Sequence, residues 1–290
     1  MRARAVLSGF LVSLVLAGCD AAPETGTAAR VEPVVIEGYS GDAMEPFLSR
    51  DGNFLFFNSL NDPKVDTDIH FAKRRDDRTF VYVGVLKGTQ SKELDGVPTM
   101  SRDGRFCFIS PRDYQKTLNT VFCGQFNGNE VVDVVPQLQL KTARSGRLIF
   151  DVELSADGNH MVFAEGTFSG GSVPDETDLF LADWGPQGFV RSVQSARLLA
   201  NVNTADGQEY APSLSADGLQ LYFTRLTGFL LWRHVQIYRA VRSSESEPFG
   251  APVRMPIEGF IEGPTLSADG QALYFHKLVD GHFGIWRLKL

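Results

Sequence analysis

The stretch Ser215-Ala-Asp-Gly-Leu-Gln-Leu-Tyr-Phe223 is one of five related segments in this chain of 290 residues. Each segment has the form Ser-x-Asp-Gly, followed within a few residues by aromatic and aliphatic residues. The copies begin at Ser49, Ser101, Ser155, Ser215 and Ser267, which gives spacings of 52, 54, 60 and 52 residues. Units of roughly this length, built from short strands, are typical of β-propeller blades.

The Asp-Gly pair of each copy predicts a tight β-hairpin, because glycine accepts a positive φ and aspartate can hydrogen-bond its neighbouring backbone. The strand before the hairpin begins with a proline three residues upstream of the serine in four copies, at Pro46, Pro98, Pro212 and Pro264. Val152 takes this place in the third copy. A third and a fourth short strand follow the hairpin, so each unit is predicted to be a four-stranded antiparallel blade.

Five such units predict an all-β fold, a five-bladed β-propeller. The last unit stops after its third strand at Leu290, and residues 33–36 resemble the fourth strand of another unit. The N-terminal strand is therefore expected to complete the last blade and close the ring, which leaves no open edge strand. A propeller of six blades, one of them degenerate, is the alternative, although no gap between the signatures is long enough to hold another blade.

The repeats resemble the WD-like propeller repeats of the TolB type, which are also found in tricorn protease. The shared pattern is Pro-x-x-Ser-x-Asp-Gly, then Leu-Tyr-Phe, then Asp-Ile-Tyr, and residues 209–218 come closest to its first part. The resemblance covers essentially the whole domain and implies a propeller, but propellers host binding and catalysis alike. TolB proteins also have a further N-terminal domain and six blades, for which this chain has no room.

The first nineteen residues have the pattern of an export signal. Arg2 and Arg4 precede an apolar run over residues 5–16, which is too short to span a bilayer as a helix. The run ends in Leu-Ala-Gly-Cys19, which resembles the lipobox of bacterial lipoproteins and implies lipid attachment to Cys19. An ordinary signal peptide with an incidental cysteine is the alternative.

These segments predict three parts of the chain: a signal peptide over 1–18, a flexible tether over 19–30 and the propeller over 31–290. The lipid would hold a monomeric protein in the bacterial cell envelope, on the periplasmic side of either the inner or the outer membrane.

Charge and cysteine content narrow the classes of function. The formal net charge is −7, and it becomes −9 if Arg2 and Arg4 are removed with the signal. An acidic surface repels nucleic acid, which excludes that partner. Cys107 and Cys123 lie in consecutive predicted strands and are expected to form a disulfide in an oxidising compartment, with two buried thiols as the alternative. No nearby side chain completes a four-ligand set around them, and neither a metal site nor a cofactor is predicted.

Acidic residues enter the innermost strand of every blade on the face opposite the Ser-x-Asp-Gly turns. They include Glu45, Asp95, Asp151, Glu209 and Glu262. Around a ring they would place carboxylates at the mouth of the central channel, where they could bind a divalent cation, hold a basic peptide or perform acid–base chemistry. The alternative is that they hydrogen-bond backbone amides and neighbouring blades.

Basic and aromatic residues are predicted on the same face as these carboxylates. The candidates for ligand contact are Arg112, Arg225, Trp232 and His276. Trp232 ends an apolar run over residues 228–232, which is either a contact surface or an extended third strand. No nucleophile elbow, phosphate loop or His-Glu-x-x-His motif occurs.

The resemblance to TolB favours a membrane-tethered scaffold that binds an envelope protein or peptide without catalysis. The main alternative is a glycan-active enzyme, because five-bladed glycosidases place an acid, a base and a modulating carboxylate in such a channel. Glu45, Asp151 and Glu209 would then be the catalytic candidates. The recurrence of the carboxylates from blade to blade argues against this alternative. A ligand or cation sensor acting through the carboxylate ring is the third possibility.

Overall fold

A computed structural model describes residues 30–61, 66–169, 173–228 and 234–290. The predicted signal peptide, Cys19, nearly all of the predicted tether and Trp232 lie outside these ranges. In the ranges described, no helix is both long and apolar enough to cross a membrane.

The described residues form five sheets arranged in a ring, each built on four antiparallel strands, which confirms the predicted five-bladed propeller. Blade 1 runs outwards through β3 (Met44–Leu48), β4 (Phe54–Asn58), β5 (Ile69–Arg74) and β6 (Thr79–Val85). Blade 2 contains β7 (Gly96–Met100), β8 (Arg105–Ile109), β9 (Val121–Phe126) and β10 (Val131–Pro136). Blade 3 contains β11 (Arg147–Leu154), β12 (His160–Thr167), β13 (Glu176–Gly185) and β14 (Gly188–Arg191).

The same order continues in the remaining blades. Blade 4 contains β15 (Gly207–Leu214), β16 (Gln220–Thr227), β17 (His234–Val241) and β18 (Val253–Arg254). Blade 5 contains β19 (Ile261–Leu266), β20 (Ala272–Val279), β21 (His282–Lys289) and, as its outermost strand, β1 (Val31–Pro33). The short helices α1 (Tyr114–Thr117) and α2 (Ser195–Leu198) and a 3-10 turn (Leu138–Leu140) lie in connections.

The N-terminal segment closes the ring as predicted, but the closing strand is Val31–Pro33 and not the predicted residues 33–36. β1 pairs antiparallel with β21, so it supplies the fourth strand of blade 5. The next strand, β2 (Val35–Glu37), pairs in parallel with β6 and gives blade 1 a fifth strand, which the repeat pattern did not predict. One short segment therefore joins the last blade to the first.

The Ser-x-Asp-Gly turns share one hydrogen-bond pattern in all five blades. In blade 4 the Ser215 hydroxyl donates to Asp217 Oδ1 at 2.5 Å and accepts the backbone N–H of Gln220 at 2.9 Å. Gly218 has a φ of 69°, which favours glycine. The Ser215 hydroxyl, followed by the Leu219 N–H, holds the pKa of Asp217 below its usual value. The repeated serine therefore stabilises the turn.

The hydrophobic core lies between the blades. It consists of five clusters of buried apolar residues, one for each pair of neighbouring blades. Between blades 1 and 2, for example, the rings of Phe56 and Phe106 meet edge to face with centroids 5.1 Å apart. Within blade 2, Cys107 and Cys123 face each other on neighbouring strands and form a disulfide. Because the core is distributed in this way, the centre of the ring is left to polar groups.

Candidate active site

A β-bulge interrupts every innermost strand, and the pairing register shifts there in all five blades. In four blades the bulge consists of the repeat's proline and the residue before it, which is Glu45, Val97, Ala211 or Gly263. These four residues have φ between 47° and 61°. In blade 3 the bulge lies at Phe150, and Asp151, the residue before Val152, pairs with Ala164. Because a bulge redirects nearby side chains, these four residues and Asp151 form a ring at the channel that carries two carboxylates.

The carboxylates of Glu45 and Asp151 lie against bulge residues of neighbouring blades. The Oε2 atom of Glu45 occupies the space above Gly263, where an added Cβ would lie only 2.6 Å from it. The Oδ2 atom of Asp151 accepts a hydrogen bond from the backbone N–H of Ala211 at 2.8 Å. Asp151 is 4% exposed, whereas Glu45 is partly exposed. The missing side chain at Gly263 therefore makes room for the Glu45 carboxylate.

A third carboxylate, Glu262, belongs to a hydrogen-bonded network at the same place. Its Oε1 atom accepts the hydroxyl of Tyr210, and its Oε2 atom lies 3.3 Å from Nε2 of His276. The Nδ1 atom of buried His276 accepts the backbone N–H of Glu45 at 3.2 Å. Since Nδ1 is an acceptor, the ring proton belongs on Nε2, which donates to Glu262. His276 thus connects two of the three carboxylates.

Burial and the proximity of the carboxylates raise several pKa values in this cluster. Burial, and then the charges of Asp151 and Glu262, raise the pKa of Glu45 well above its usual value. Burial raises the pKa of Asp151 to about 7; the Ala211 N–H opposes this rise and Glu262 adds to it. Burial, and then Glu262, raise the pKa of Tyr210 well above its usual value. The site therefore favours the protonated form of Glu45 next to the Glu262 carboxylate, which accepts hydrogen bonds from Tyr210 and His276.

A buried ion pair closes the channel beneath this cluster, on the side of the Ser-x-Asp-Gly turns. Arg50, from the turn of blade 1, reaches Glu153 of blade 3 at 2.8 Å and the carbonyl oxygen of Leu154 at 2.6 Å. Thr99 of blade 2 donates to the same glutamate at 2.8 Å. The cavity between this pair and the bulge ring measures about 20 Å³, room for about one water molecule. A larger ligand must therefore approach the carboxylates from the opposite face.

Two of the predicted carboxylates are paired with two of the predicted arginines. Asp95 pairs with Arg112 at 2.5 Å in blade 2, and Glu209 pairs with Arg225 at 2.7 Å in blade 4. Both carboxylates are fully buried. Each arginine also lies over aromatic rings of its own blade, with Arg225 4.6 Å from the ring centroid of Tyr238. The structure therefore places these four side chains in ion pairs within single blades.

The predicted residues that meet at the channel are Glu45, Asp151, Glu262 and His276. Tyr210 was not among the candidates, although it occupies the same position in blade 4 as Glu262 in blade 5, two residues before the proline. Counting from the proline would have found it. Among the residues that the structure describes, no group of three or more His, Cys, Asp or Glu side chains could hold a metal ion.

Comparison with known proteins supports the fold. No protein-family model and no curated protein sequence matches the chain. A solved glycoside hydrolase matches 90% of this chain over 91% of its own length, with a TM-score of 0.58 and 11% identity. An endo-arabinase from Bacteroides thetaiotaomicron matches 89% of this chain over 97% of its own, with a TM-score of 0.52 and 11% identity. A putative TolB from Agrobacterium tumefaciens matches 86% of this chain over 77% of its own length, with a TM-score of 0.49 and 16% identity.

These matches correct the predicted function. The prediction of a TolB-like, protein-binding scaffold without catalysis is wrong, because the glycoside hydrolase and the endo-arabinase match with TM-scores of 0.58 and 0.52, whereas the TolB match reaches 0.49. That prediction took the Ser-x-Asp-Gly repeat as a sign of function, whereas the repeat only builds turns on the face away from the carboxylates. The class that fold and site define is a five-bladed propeller with three carboxylates at the channel mouth. At 11% identity the likeness extends to the fold and no further.

Proposed function

We propose that this protein is a glycoside hydrolase that cleaves a glycan at the channel mouth with Glu45, Asp151 and Glu262. The observation that carries the proposal is the cluster of three carboxylates in different environments. The pKa of Glu45 is raised well above its usual value, the pKa of Asp151 lies near 7, and Glu262 accepts two hydrogen bonds. Carboxyl groups whose environments separate their pKa values can divide the roles of acid and base.

In this mechanism Glu45 is the general acid. It gives its proton to the glycosidic oxygen as the bond between that oxygen and the anomeric carbon breaks. Ionised Asp151 is the general base, which takes a proton from the water molecule whose oxygen forms the new bond to the anomeric carbon. Glu262 raises the pKa values of both groups by its charge and is itself fixed by Tyr210 and His276.

Aromatic side chains beside Asp151 favour a sugar as the ligand. Phe150 precedes Asp151 in β11 and is partly exposed, and its ring centroid lies 5.3 Å from that of Phe168 and 6.3 Å from that of Tyr210. Partly exposed aromatic rings suit the apolar face of a sugar ring, while nearby polar groups bind its hydroxyls.

The test is the release of reducing sugars from a panel of neutral and acidic polysaccharides. We expect Glu45→Gln and Asp151→Asn each to lower kcat/KM at least about 100-fold, the usual contribution of a general acid or base. Glu262→Gln should move the pH optimum downwards, because the charge that raises the other two pKa values is gone. Asp206→Asn, at an exposed position outside the cluster, is the control. Cleavage of no polysaccharide, or a fully active Glu45→Gln variant, would overturn the proposal.

We also propose that Cys19 anchors the propeller to the cell envelope through lipid. The support is the apolar run and the Leu-Ala-Gly-Cys19 motif. In cell fractionation, Cys19→Ser should move the protein from the membrane fraction to the soluble fraction. An unchanged distribution would exclude the anchor.

A further inference from the structure

We infer that a cationic groove between blades 2 and 3 binds acidic groups of the glycan, so that the substrate is an anionic polysaccharide carrying carboxylate or sulfate groups. This inference rests on the proposed function for the class of ligand. The groove itself is separate from the three catalytic carboxylates.

The groove is a cavity of about 560 Å³ on the face opposite the Ser-x-Asp-Gly turns. It lies between the loop after β8, the connection from blade 2 to blade 3, and the ends of β12 and β14. Its lining includes Lys116, Leu118, Lys141, Thr142, Glu165 and Arg191. This volume lies within the range of about 300–1,000 Å³ that is typical of small-ligand sites.

The charges that line the groove are mostly positive. Glu165 is the one carboxylate of the lining, and it is bound by both Arg191 and Arg147. Within the described residues, the exposed ammonium groups of Lys116 and Lys141 take part in no ion pair. In a protein of net charge −7, such a local excess of positive charge marks a place that attracts anions.

The walls of the groove are fixed to the strand that carries Asp151. The hydroxyl of Tyr114 in α1 donates to the carbonyl oxygen of Arg147 at 2.9 Å, and Thr142 Oγ1 donates to the same oxygen at 2.7 Å. The backbone N–H of Thr142 also donates to the carbonyl oxygen of Leu118 at 2.8 Å. A groove held in this way loses little conformational entropy when a ligand binds.

The strand β11 connects the walls of the groove with the proposed catalytic carboxylates. Arg147 stands beside the groove, and Asp151 follows four residues further along the same strand. At about 3.3 Å per residue these two positions are about 13 Å apart, allowing for the bulge between them. A glycan bound in the groove can therefore extend to the channel mouth without leaving this face.

The experiment measures binding of oligosaccharides by calorimetry, with every protein carrying Asp151→Asn to prevent cleavage. The probes are oligogalacturonate for carboxylate, a sulfated dextran oligosaccharide for sulfate, and a neutral arabino-oligosaccharide. The groove variant is Lys116→Gln with Lys141→Gln. The control is Lys73→Gln with Lys289→Gln, which makes the same change in net charge at exposed positions in blades 1 and 5. Urea unfolding verifies that both variants fold.

We expect the groove variant to bind at least one anionic probe about 10-fold more weakly or worse, and the control to bind it as the parent does. The affinity should fall with added salt, because screening weakens exposed charge interactions. If the groove variant loses affinity for oligogalacturonate alone, the groove recognises carboxylate groups. If it loses affinity for the sulfated probe alone, the groove recognises sulfate groups. Equal binding by groove variant and parent, or no binding of either anionic probe by the parent, overturns the inference.

Failure of the proposed function gives a different result. If the anionic probe binds in the groove but Glu45→Gln leaves cleavage unchanged, the assignment of the groove is supported and the catalytic assignment is wrong. If Glu45→Gln abolishes cleavage of a neutral glycan and the groove variant is fully active on every substrate, the catalytic assignment is supported and the assignment of the groove is wrong.

Discussion

Replacing Asp151 by asparagine should stabilise the protein above neutral pH and change its stability in acid much less. Asp151 is 4% exposed, and burial raises its pKa from 3.8 to about 7. Asparagine has the same shape, can accept the hydrogen bond from the Ala211 N–H, and carries no charge at any pH.

The direction follows from proton binding in the two states. Between about pH 4 and pH 7 the unfolded chain loses the proton of Asp151, whereas the folded protein keeps it. The folded state then binds more protons, so its stability falls as the pH rises through this window. At about 1.4 kcal/mol for each pKa unit, this rise corresponds to roughly 4 kcal/mol.

Urea unfolding at pH 4.5 and pH 8.5 measures the effect. The free energy of unfolding of Asp151→Asn should exceed that of the wild type by up to about 4 kcal/mol at pH 8.5, and by only about 1 kcal/mol at pH 4.5. The control Asp206→Asn lies at an exposed position and should stay within about 0.5 kcal/mol of the wild type at both pH values. The same difference between Asp151→Asn and wild type at both pH values would refute the reasoning.

Three further substitutions test other parts of the structure by urea unfolding. Gly263→Ala should cost at least about 1 kcal/mol and remove most activity, because its φ is 61° and the new Cβ would displace the Glu45 carboxylate; an active variant would contradict this placement. Cys107→Ser breaks a disulfide that spans 16 residues and should cost about 3 kcal/mol, whereas equal stability of variant and wild type in oxidising buffer would argue against the bond. Arg50→Met should cost about 3–5 kcal/mol by leaving Glu153 buried without its partner, and adding Glu153→Gln should restore part of this loss; no rescue would show that the cost is one of packing.

The blades and their closure could be predicted from the sequence because their signals are local or repeated. The Asp-Gly hairpin depends on neighbouring residues, and five copies of it define the ring. The parallel pairing of β2 with β6 could not be predicted, because residues 33–36 resemble the fourth strand of a unit and were expected to pair with the last blade, whereas residues 35–37 pair with the first.

The candidate site was harder to predict, because acidic residues on the same strands have different surroundings. Asp95 and Glu209 both lie three residues before the proline and pair with arginines inside their blades. Glu45 lies one residue before the proline, at the bulge, and Asp151 lies one residue before Val152, directly after the bulge at Phe150 in blade 3. Side chains alternate between the faces of a strand, and a bulge changes that alternation, so the surroundings of a carboxylate depend on its offset from the bulge.

The pairing of β1 with β21 has a consequence for the order of assembly. The two strands are about 255 residues apart in the chain, so β1 has to wait for β21 to be synthesised before it can pair. Until the two strands pair, β1 and then the outer edge of β21 are available to other molecules. Exchange of β1 between two copies would give a swapped dimer with the same strand pairing in each ring. The strand pairing that closes the monomer is thus also the place where two molecules can exchange a strand.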